Sequence, residues 1–166
     1  LSLHDALPIC SCGGCHEPFR AKQLWQWIYT KGVTDFAAMK NIKKETQALL
    51  AEHFSIARAG VSRNAVSFDA TQKWLLKFAD ANEVETVFIP DAPRGTLCVS
   101  SQVGCMLACT FCHTGTQRLV RNLTAGEIIT QVLVARDGLG EWNRQAEQTA
   151  PRKGKKPEAA EDWRRI

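Results

Sequence analysis

The strongest constraint on the fold of this chain is a loop with three closely spaced cysteines in the pattern C-x3-C-x2-C: Cys105, Cys109 and Cys112. The residues before it, Thr96 to Gln102, alternate in character, which predicts a strand. After it, Thr124 and Glu127 form a capping box that begins a helix. Strand, long loop and helix are the opening unit of a parallel β/α architecture, in which ligands bind at the carboxyl ends of the strands. The loop is therefore the predicted place for chemistry.

Three thiolates on one loop can hold three irons of a cubane iron–sulfur cluster and leave the fourth iron without a protein ligand. An open coordination position lets a metal site bind and activate a small molecule. The alternative is a structural zinc site completed by His113 or by another cysteine. Phe111 stands directly before the last cysteine and the loop joins a strand to a capped helix, and this context favours the cluster.

The remaining elements predict an α/β chain whose N-terminal part is α+β. One helix begins at Glu17-Pro18 and ends at Gly32. A second helix is predicted over Asp35 to His53, with its apolar side formed by Phe36, Met39, Ile42, Leu49 and Leu50. Period-two alternation from Val66 to Phe88 then predicts an antiparallel meander of three strands.

Composition narrows the class of protein. Hydrophobic residues make up 45% of the chain and charged residues 23%, which is typical of soluble globular domains. No apolar run approaches the ~20 residues that cross a bilayer, and the N-terminus lacks a secretory pattern. We therefore expect a cytoplasmic protein without membrane contact. Seven cysteines, in two clusters and one single residue, favour metal or redox chemistry over a disulfide framework.

The loop Gly104-Cys105-Met106-Leu107-Ala108-Cys109-Thr110-Phe111-Cys112 resembles the cluster-binding loop of the radical S-adenosylmethionine enzymes. Four further segments are more specific: Glu17-Pro18-Phe19-Arg20-Ala21-Lys22-Gln23, Val84-Glu85-Thr86-Val87-Phe88-Ile89-Pro90, Thr96-Leu97-Cys98-Val99-Ser100-Ser101-Gln102-Val103 and Arg121-Asn122-Leu123-Thr124. Together they are similar to the RlmN family, the dual-specificity adenosine C2 methyltransferases of 23S rRNA and tRNA. The similarity runs in register from about Glu17 to Trp142.

The resemblance implies a domain organisation. Residues 16–60 would be a helical accessory domain that binds RNA, residues 61–92 the meander, and residues 93–142 the start of the radical S-adenosylmethionine core, as the first β/α unit of an incomplete partial TIM barrel. Residues 1–15 stay unassigned, as foreign or disordered sequence. Residues 143–166 are rich in charged residues and poor in apolar ones, and we expect a disordered basic tail.

The resemblance also implies site residues. Cys105, Cys109 and Cys112 would bind a [4Fe-4S] cluster whose open iron holds S-adenosylmethionine and reduces it to a 5′-deoxyadenosyl radical, with Phe111 at the cofactor. In the family a methyl group is placed on a cysteine near the C-terminus, loses a hydrogen to the radical and adds to adenine C2, which gives a covalent protein–RNA adduct. Glu85 matches the proton acceptor. Cys98 matches the cysteine that takes the C2 proton and can form a disulfide with the methylated cysteine.

Without the resemblance, the sequence pattern gives weaker evidence for catalytic roles of Glu85 and Cys98. Glu85 shares its strand face with Val87 and Ile89, so we expect an apolar side that suits a general base. The alternative is an edge-strand glutamate that faces water. Cys98 in an alternating strand would ordinarily be a small core residue.

Other candidates are open to two interpretations. Cys10, Cys12 and Cys15 could bind zinc, but they lie outside the family match. Trp25 and Trp27 could stack on RNA bases or pack in the helical core. A modest basic side of the N-terminal helices could contact RNA or simply face solvent: Arg20, Lys22, Lys40, Lys43 and Lys44.

This chain resembles only part of a complete member of the family. A complete member continues with the remaining barrel strands, a Gly-Glu-Pro motif and the methyl-accepting cysteine, so we expect this chain to be a truncated form that is inactive by itself. The expected partners are 23S rRNA, tRNA and an external, flavodoxin-like electron donor, and the expected state is a monomer. Two alternatives remain: the sister group that methylates adenine C8, and a non-catalytic zinc-dependent RNA-binding module.

Overall fold

A computed structural model describes residues 18–91, 94–107 and 109–142. The chain divides into two compact units, one up to Arg58 and one from Ala59. The expectations for residues 1–15, with their three cysteines, and for the tail 143–166 lie outside the described residues. The wider division at 16–60, 61–92 and 93–142 stays a prediction.

The first unit is helical. Helix α1 spans Pro18–Trp25 and continues as a π-helical turn over Gln26–Thr30. Gly32 follows at φ +68, a conformation that glycine adopts without steric cost. A 3-10 turn follows at Phe36–Ala38, and helix α2 spans Lys44–His53. The core of this unit consists of Leu24, Ile28, Phe36, Met39, Ile42, Leu50 and Ile56.

The predicted second helix, Asp35 to His53, is wrong in its first half. Phe36, Met39 and Ile42 are buried, but their spacing of three is satisfied by a 3-10 turn and the loop after it. The side-chain amide of Gln47 donates to the carbonyl oxygens of Met39 and Ile42, at 2.8 and 3.0 Å. Leu49, expected on the buried side, is exposed.

The second unit contains an antiparallel sheet of four consecutive strands: β1 Gly60–Val66, β2 Gln72–Lys77, β3 Glu83–Asp91 and β4 Arg94–Cys98. The predicted meander is confirmed and is one strand longer, but its first strand lies earlier than predicted: it ends at Val66, and Phe68 is exposed in the following turn. Its two tight turns place Ala70 and Ala81 at positive φ. In each turn the preceding aspartate accepts a hydrogen bond from a backbone N–H two residues on, which offsets part of the cost.

The predicted strand over Thr96 to Gln102 is two strands in the structure. Its first part belongs to β4, which pairs antiparallel with β3, and Gln102–Val103 forms the short strand β5. Strand β5 pairs antiparallel with β6, Arg121–Asn122. All strand pairs among the described residues are antiparallel. Alternation in the sequence does not reveal this, because it has the same period in parallel and antiparallel sheets. The barrel expectation stays a prediction.

Helix α3 spans Ala125–Leu139 and begins at the predicted capping box of Thr124 and Glu127. It ends at Gly140 in the left-handed conformation, whereas Gly138, an expected terminator, lies inside the helix against the Trp74 ring. Helix and sheet share one core: Trp74, Leu76, Val84, Phe88, Val103, Leu123, Val134 and Ala135. Among the described residues, no helix has the length and apolar character needed to span a membrane.

An ion-pair network joins the start of α3 to a sheet turn. Arg121 donates to both carboxylate oxygens of Glu127, at 2.8 and 2.7 Å, and to Asp80 at 2.7 Å. The Arg121 guanidinium holds the pKa of Glu127 below its ordinary value of 4.5. The side-chain amide of Asn82, with help from Arg121, lowers the pKa of Asp80.

This network predicts a loss of stability in acid. A carboxyl with a depressed folded-state pKa stabilises the fold above its unfolded pKa, and the stabilisation is lost as the pH falls through the folded pKa. Between pH 7 and pH 3, the free energy of unfolding should therefore fall by about 1 kcal/mol more in the wild type than in Glu127→Gln. Urea unfolding at the two pH values measures this. The same substitution at exposed Glu52 is the control, and equal acid sensitivity in Glu127→Gln and the wild type would contradict the prediction.

Candidate functional site

The cysteine loop is closed at its base by backbone hydrogen bonds. Strands β5 and β6 pair Gln102 with Asn122 and Val103 with Arg121. Further in, the N–H of Val120 donates to the carbonyl of Val103 at 2.9 Å, and the N–H of Cys105 to that of Gln117 at 3.1 Å. The loop thus leaves and re-enters the fold at one place, which limits the conformations of the residues between.

Two glycines allow the loop to close this tightly. Gly104 has φ +76, and a Cβ there would lie 2.1 Å from the carbonyl oxygen of Arg118. A Cβ on Gly115, which is buried in a 3-10 turn, would lie 2.7 Å from the carbonyl oxygen of Cys109. Gly104 belongs to the recognised motif. Gly115 was not predicted to be important for the loop, because a single loop glycine has no periodic pattern in the sequence.

The three loop cysteines are free thiols of intermediate exposure. Cys105 and Cys109 line one cavity of about 600 Å³, whereas Cys112 does not line it. The backbone N–H of Leu107 donates to the Cys105 sulfur at 3.4 Å, and that of Cys112 to the carbonyl of Cys109 at 3.2 Å. Within the described ranges, no three Cys, His, Asp or Glu side chains are close enough together to hold a metal ion.

The donor set nevertheless fits an iron–sulfur cluster by its chemistry. Thiolates are the protein ligands of such clusters, and backbone N–H groups that donate to their sulfurs stabilise the charge. Phe111, expected at the cofactor, is 92% exposed and lines neither of the two cavities described for this unit. Met106 and Leu107 on the same loop are also exposed.

A second cavity, of about 590 Å³, brings the predicted catalytic pair together. Glu85 on β3 and Cys98 at the end of β4 line it, beside Lys73 on β2. The cysteine loop supplies the facing residues, His113 and Gln117 among them. Gln117 also lines the first cavity, so the two cavities share this residue.

Glu85 does not face an apolar core. Val84, Thr86 and Phe88 are the buried residues of β3, and Glu85 lies on the opposite face with half of its side chain exposed. Its carboxylate accepts a hydrogen bond from the Lys73 ammonium at 2.9 Å. The expected apolar surroundings are therefore wrong. The glutamate faces solvent, although from an inner strand rather than an edge strand.

Cys98 differs from its expected core position in the same way. It pairs with Val87 across the β3–β4 ladder and is exposed on the face that carries Glu85. A thiol on this face is accessible to a ligand in the cavity. The catalytic roles of Glu85 and Cys98, and a disulfide at Cys98, remain predictions.

In the helical unit, the two tryptophans have different environments. Trp27 packs against the core and its ring lies 3.6 Å below the Lys31 ammonium, as expected for a packed residue. Trp25 is 53% exposed. Four of the five expected basic residues are exposed, and Arg20 is half-buried with a hydrogen bond to Gln23: Lys22, Lys40, Lys43 and Lys44 are the exposed ones.

Comparison with known proteins gives three findings. Residues 13–56 match the model of the ribosomal RNA large subunit methyltransferase N-terminal domain. "Dual-specificity RNA methyltransferase RlmN" of Paracoccus denitrificans is 57% identical over 140 residues, which cover 84% of this chain and 36% of the relative. The protein of the same name from Sphingopyxis alaskensis is 64% identical over 123 residues, which cover 74% and 29%.

A solved structure agrees with these relatives. The crystal structure of a radical SAM methyltransferase from Sphaerobacter thermophilus superposes with a TM-score of 0.70 at 34% identity, and covers 89% of this chain and 41% of that one. The chain thus spans about a third of the length of the curated relatives that it matches. By these identities and this shared fold, the chain belongs to the RlmN family of RNA methyltransferases.

Proposed function

We propose that this chain is part of a radical S-adenosylmethionine enzyme that methylates C2 of adenosine in 23S rRNA and tRNA, through a methyl-cysteine and a covalent RNA adduct. The observation that supports this most is the cavity in which Glu85 and Cys98 lie opposite residues of the cysteine loop. A site that combines a carboxylate, a thiol and a metal loop in one space has the groups that such a reaction needs.

Cys105, Cys109 and Cys112 would hold a [4Fe-4S] cluster. When bound, the cluster supplies the electron that cleaves S-adenosylmethionine. An external, flavodoxin-like donor would then reduce the cluster again. The closed base of the loop and the tight contact at Gly115 limit how far Cys109 can move, which favours a fixed position for its sulfur. Phe111 on the same loop, exposed in this structure, would contact the bound cofactor.

Glu85 and Cys98 would handle protons. The Lys73 ammonium donates a hydrogen bond to the Glu85 carboxylate at 2.9 Å, which orients the carboxylate, and a carboxylate can accept a proton. The Cys98 sulfur lies on the same sheet face and would take the proton from adenine C2, so that the adduct collapses. Both residues line the cavity from neighbouring strands, which supports a single bound base that contacts both.

The helical unit would bind the RNA. Its exposed lysines can contact phosphates, and exposed Trp25 offers a face on which an unpaired base can stack. We infer that the enzyme works as a monomer in the cytoplasm, where its RNA substrates are.

The test is product analysis after anaerobic reconstitution with iron, sulfide, reductant and S-adenosylmethionine. The 166-residue chain and the complete product of its gene are incubated in parallel with undermodified 23S rRNA and tRNA. Mass spectrometry of the nucleosides is expected to detect C2-methyladenosine for the complete product. A methyl group at C8 would assign the protein to the sister group. Colourless protein with stoichiometric zinc and no methylated base would instead indicate the RNA-binding module.

A further inference from the structure

Gln131 is a polar side chain at the centre of an apolar interface. It lies on helix α3 among Ile128, Val134 and Ala135, and it is 0% exposed. Burial of a primary amide is unfavourable unless its donors and acceptor find partners. A methionine at this position would fill a similar volume without that requirement, so packing alone does not explain the amide.

Every hydrogen-bonding position of the Gln131 amide is used. Its oxygen accepts from the Thr86 hydroxyl at 2.9 Å and from the Ser100 backbone N–H at 2.8 Å. Its nitrogen donates to the Ser100 carbonyl at 2.8 Å and, more weakly, to the Glu127 carbonyl at 3.3 Å. Two of these four bonds hold both backbone polar groups of one residue, Ser100.

Ser100 lies where the chain leaves the sheet and enters the cysteine loop. Strand β4 ends at Cys98 and strand β5 begins at Gln102, so Ser100 belongs to neither. In the register that pairs Val87 with Cys98, Ser100 lies opposite Glu85. The Ser100 hydroxyl donates to the Glu85 carbonyl at 2.8 Å. A side-chain hydrogen bond therefore continues the pairing with β3 beyond the last backbone pair of β4.

We infer that Gln131 is a positioning residue that fixes Cys98 and Glu85 relative to each other and to the cysteine loop. It acts through Ser100, which is two residues from Cys98, two residues from strand β5 and hydrogen-bonded to Glu85. The catalytic consequence rests on the proposed function, whereas the structural link does not. A small displacement of reacting groups can slow an enzymatic step by as much as about a hundredfold.

The test compares Gln131→Met with Thr86→Val. The first variant removes all four bonds at nearly constant volume. The second is the matched control, because it removes one buried bond to the same amide and leaves both bonds to Ser100. In the 166-residue chain, Gln131→Met is expected to raise the hydrogen-exchange rate of the Ser100 amide by about tenfold. It should also shift the amide resonances of Cys98 and Glu85, whereas Thr86→Val should leave the exchange rate at Ser100 and the Cys98 resonance nearly unchanged. The Glu85 resonance is compared only between Gln131→Met and the wild type, because Glu85 is next to Thr86 in the sequence.

Kinetics in the complete gene product provide the second measurement. At a temperature well below unfolding, Gln131→Met is expected to lower kcat by about 10- to 100-fold with KM for RNA nearly constant. Resonance shifts confined to helix α3 would overturn the positioning link itself. Shifts at Cys98 and Glu85 with an unchanged kcat would overturn its catalytic consequence. If the wild type methylates no RNA, the proposed function fails and the resonances alone decide whether Gln131 positions the two residues.

Discussion

Gly104→Ala is expected to destabilise the second unit by about 3 to 5 kcal/mol and to prevent the cysteine loop from closing. Two effects add. Alanine at φ +76 costs about 1 to 2 kcal/mol by itself. Its Cβ would also overlap the Arg118 carbonyl, at 2.1 Å, and neither backbone segment can move without breaking the hydrogen bonds at the base of the loop.

Gly140→Ala is the matched control, because it isolates the conformational cost. Gly140 has φ +68, and a Cβ there would meet no atom within 4 Å. We expect this variant to lose only about 1 kcal/mol. Guanidinium unfolding of both variants measures the difference, and the iron content after anaerobic reconstitution reports the loop. Equal stability losses in the two variants would show that the loop tolerates a side chain at Gly104.

Cys109→Ser is expected to abolish iron loading and to lower methylation by more than about a hundredfold in the complete gene product. Loss of a residue that merely supports a metal ligand already costs about 10- to 100-fold, and loss of a ligand costs more. Gly115 also packs against the backbone of Cys109, and the Cys109 carbonyl accepts a hydrogen bond from the Cys112 N–H, so the position of Cys109 in the loop is restricted.

Cys98→Ala separates the two cysteine functions. It should bind iron as the wild type does, and it should accumulate protein covalently linked to RNA, because the adduct then lacks the group that resolves it. Iron analysis, visible absorption and denaturing gel electrophoresis distinguish the variants. Iron retained at the wild-type level in Cys109→Ser would refute the assignment of this cysteine as a ligand. Normal turnover without adduct in Cys98→Ala would refute the role of Cys98.

Local signals in the sequence predicted local structure well. The capping box of Thr124 and Glu127 and the alternation of β2 and β3 require only neighbouring residues, and both are confirmed. The spacing of Phe36, Met39 and Ile42 correctly marked buried residues but not the type of backbone, since a period of three fits several conformations. The predicted environment of Glu85 was wrong because alternation identifies the two faces of a strand but does not show which face packs against the helix.

The parts of the site that join distant segments could not be predicted. Gly115 matters because of a contact with Cys109, and Gln131 because of bonds to residues on two different strands. Neither residue has a distinctive local pattern. The joint cavity of Glu85, Cys98 and the loop likewise depends on strand register and loop closure.

Gln117 forms part of the wall of both cavities, and this shared wall has a thermodynamic consequence. A molecule beside Cys105 that moved Gln117 would also change the wall of the cavity beside Cys98. Such an influence is reciprocal, so a molecule bound beside Cys98 would then change the affinity beside Cys105 by the same factor. We therefore expect the order in which two ligands arrive to affect the rate of assembly but not the final occupancy.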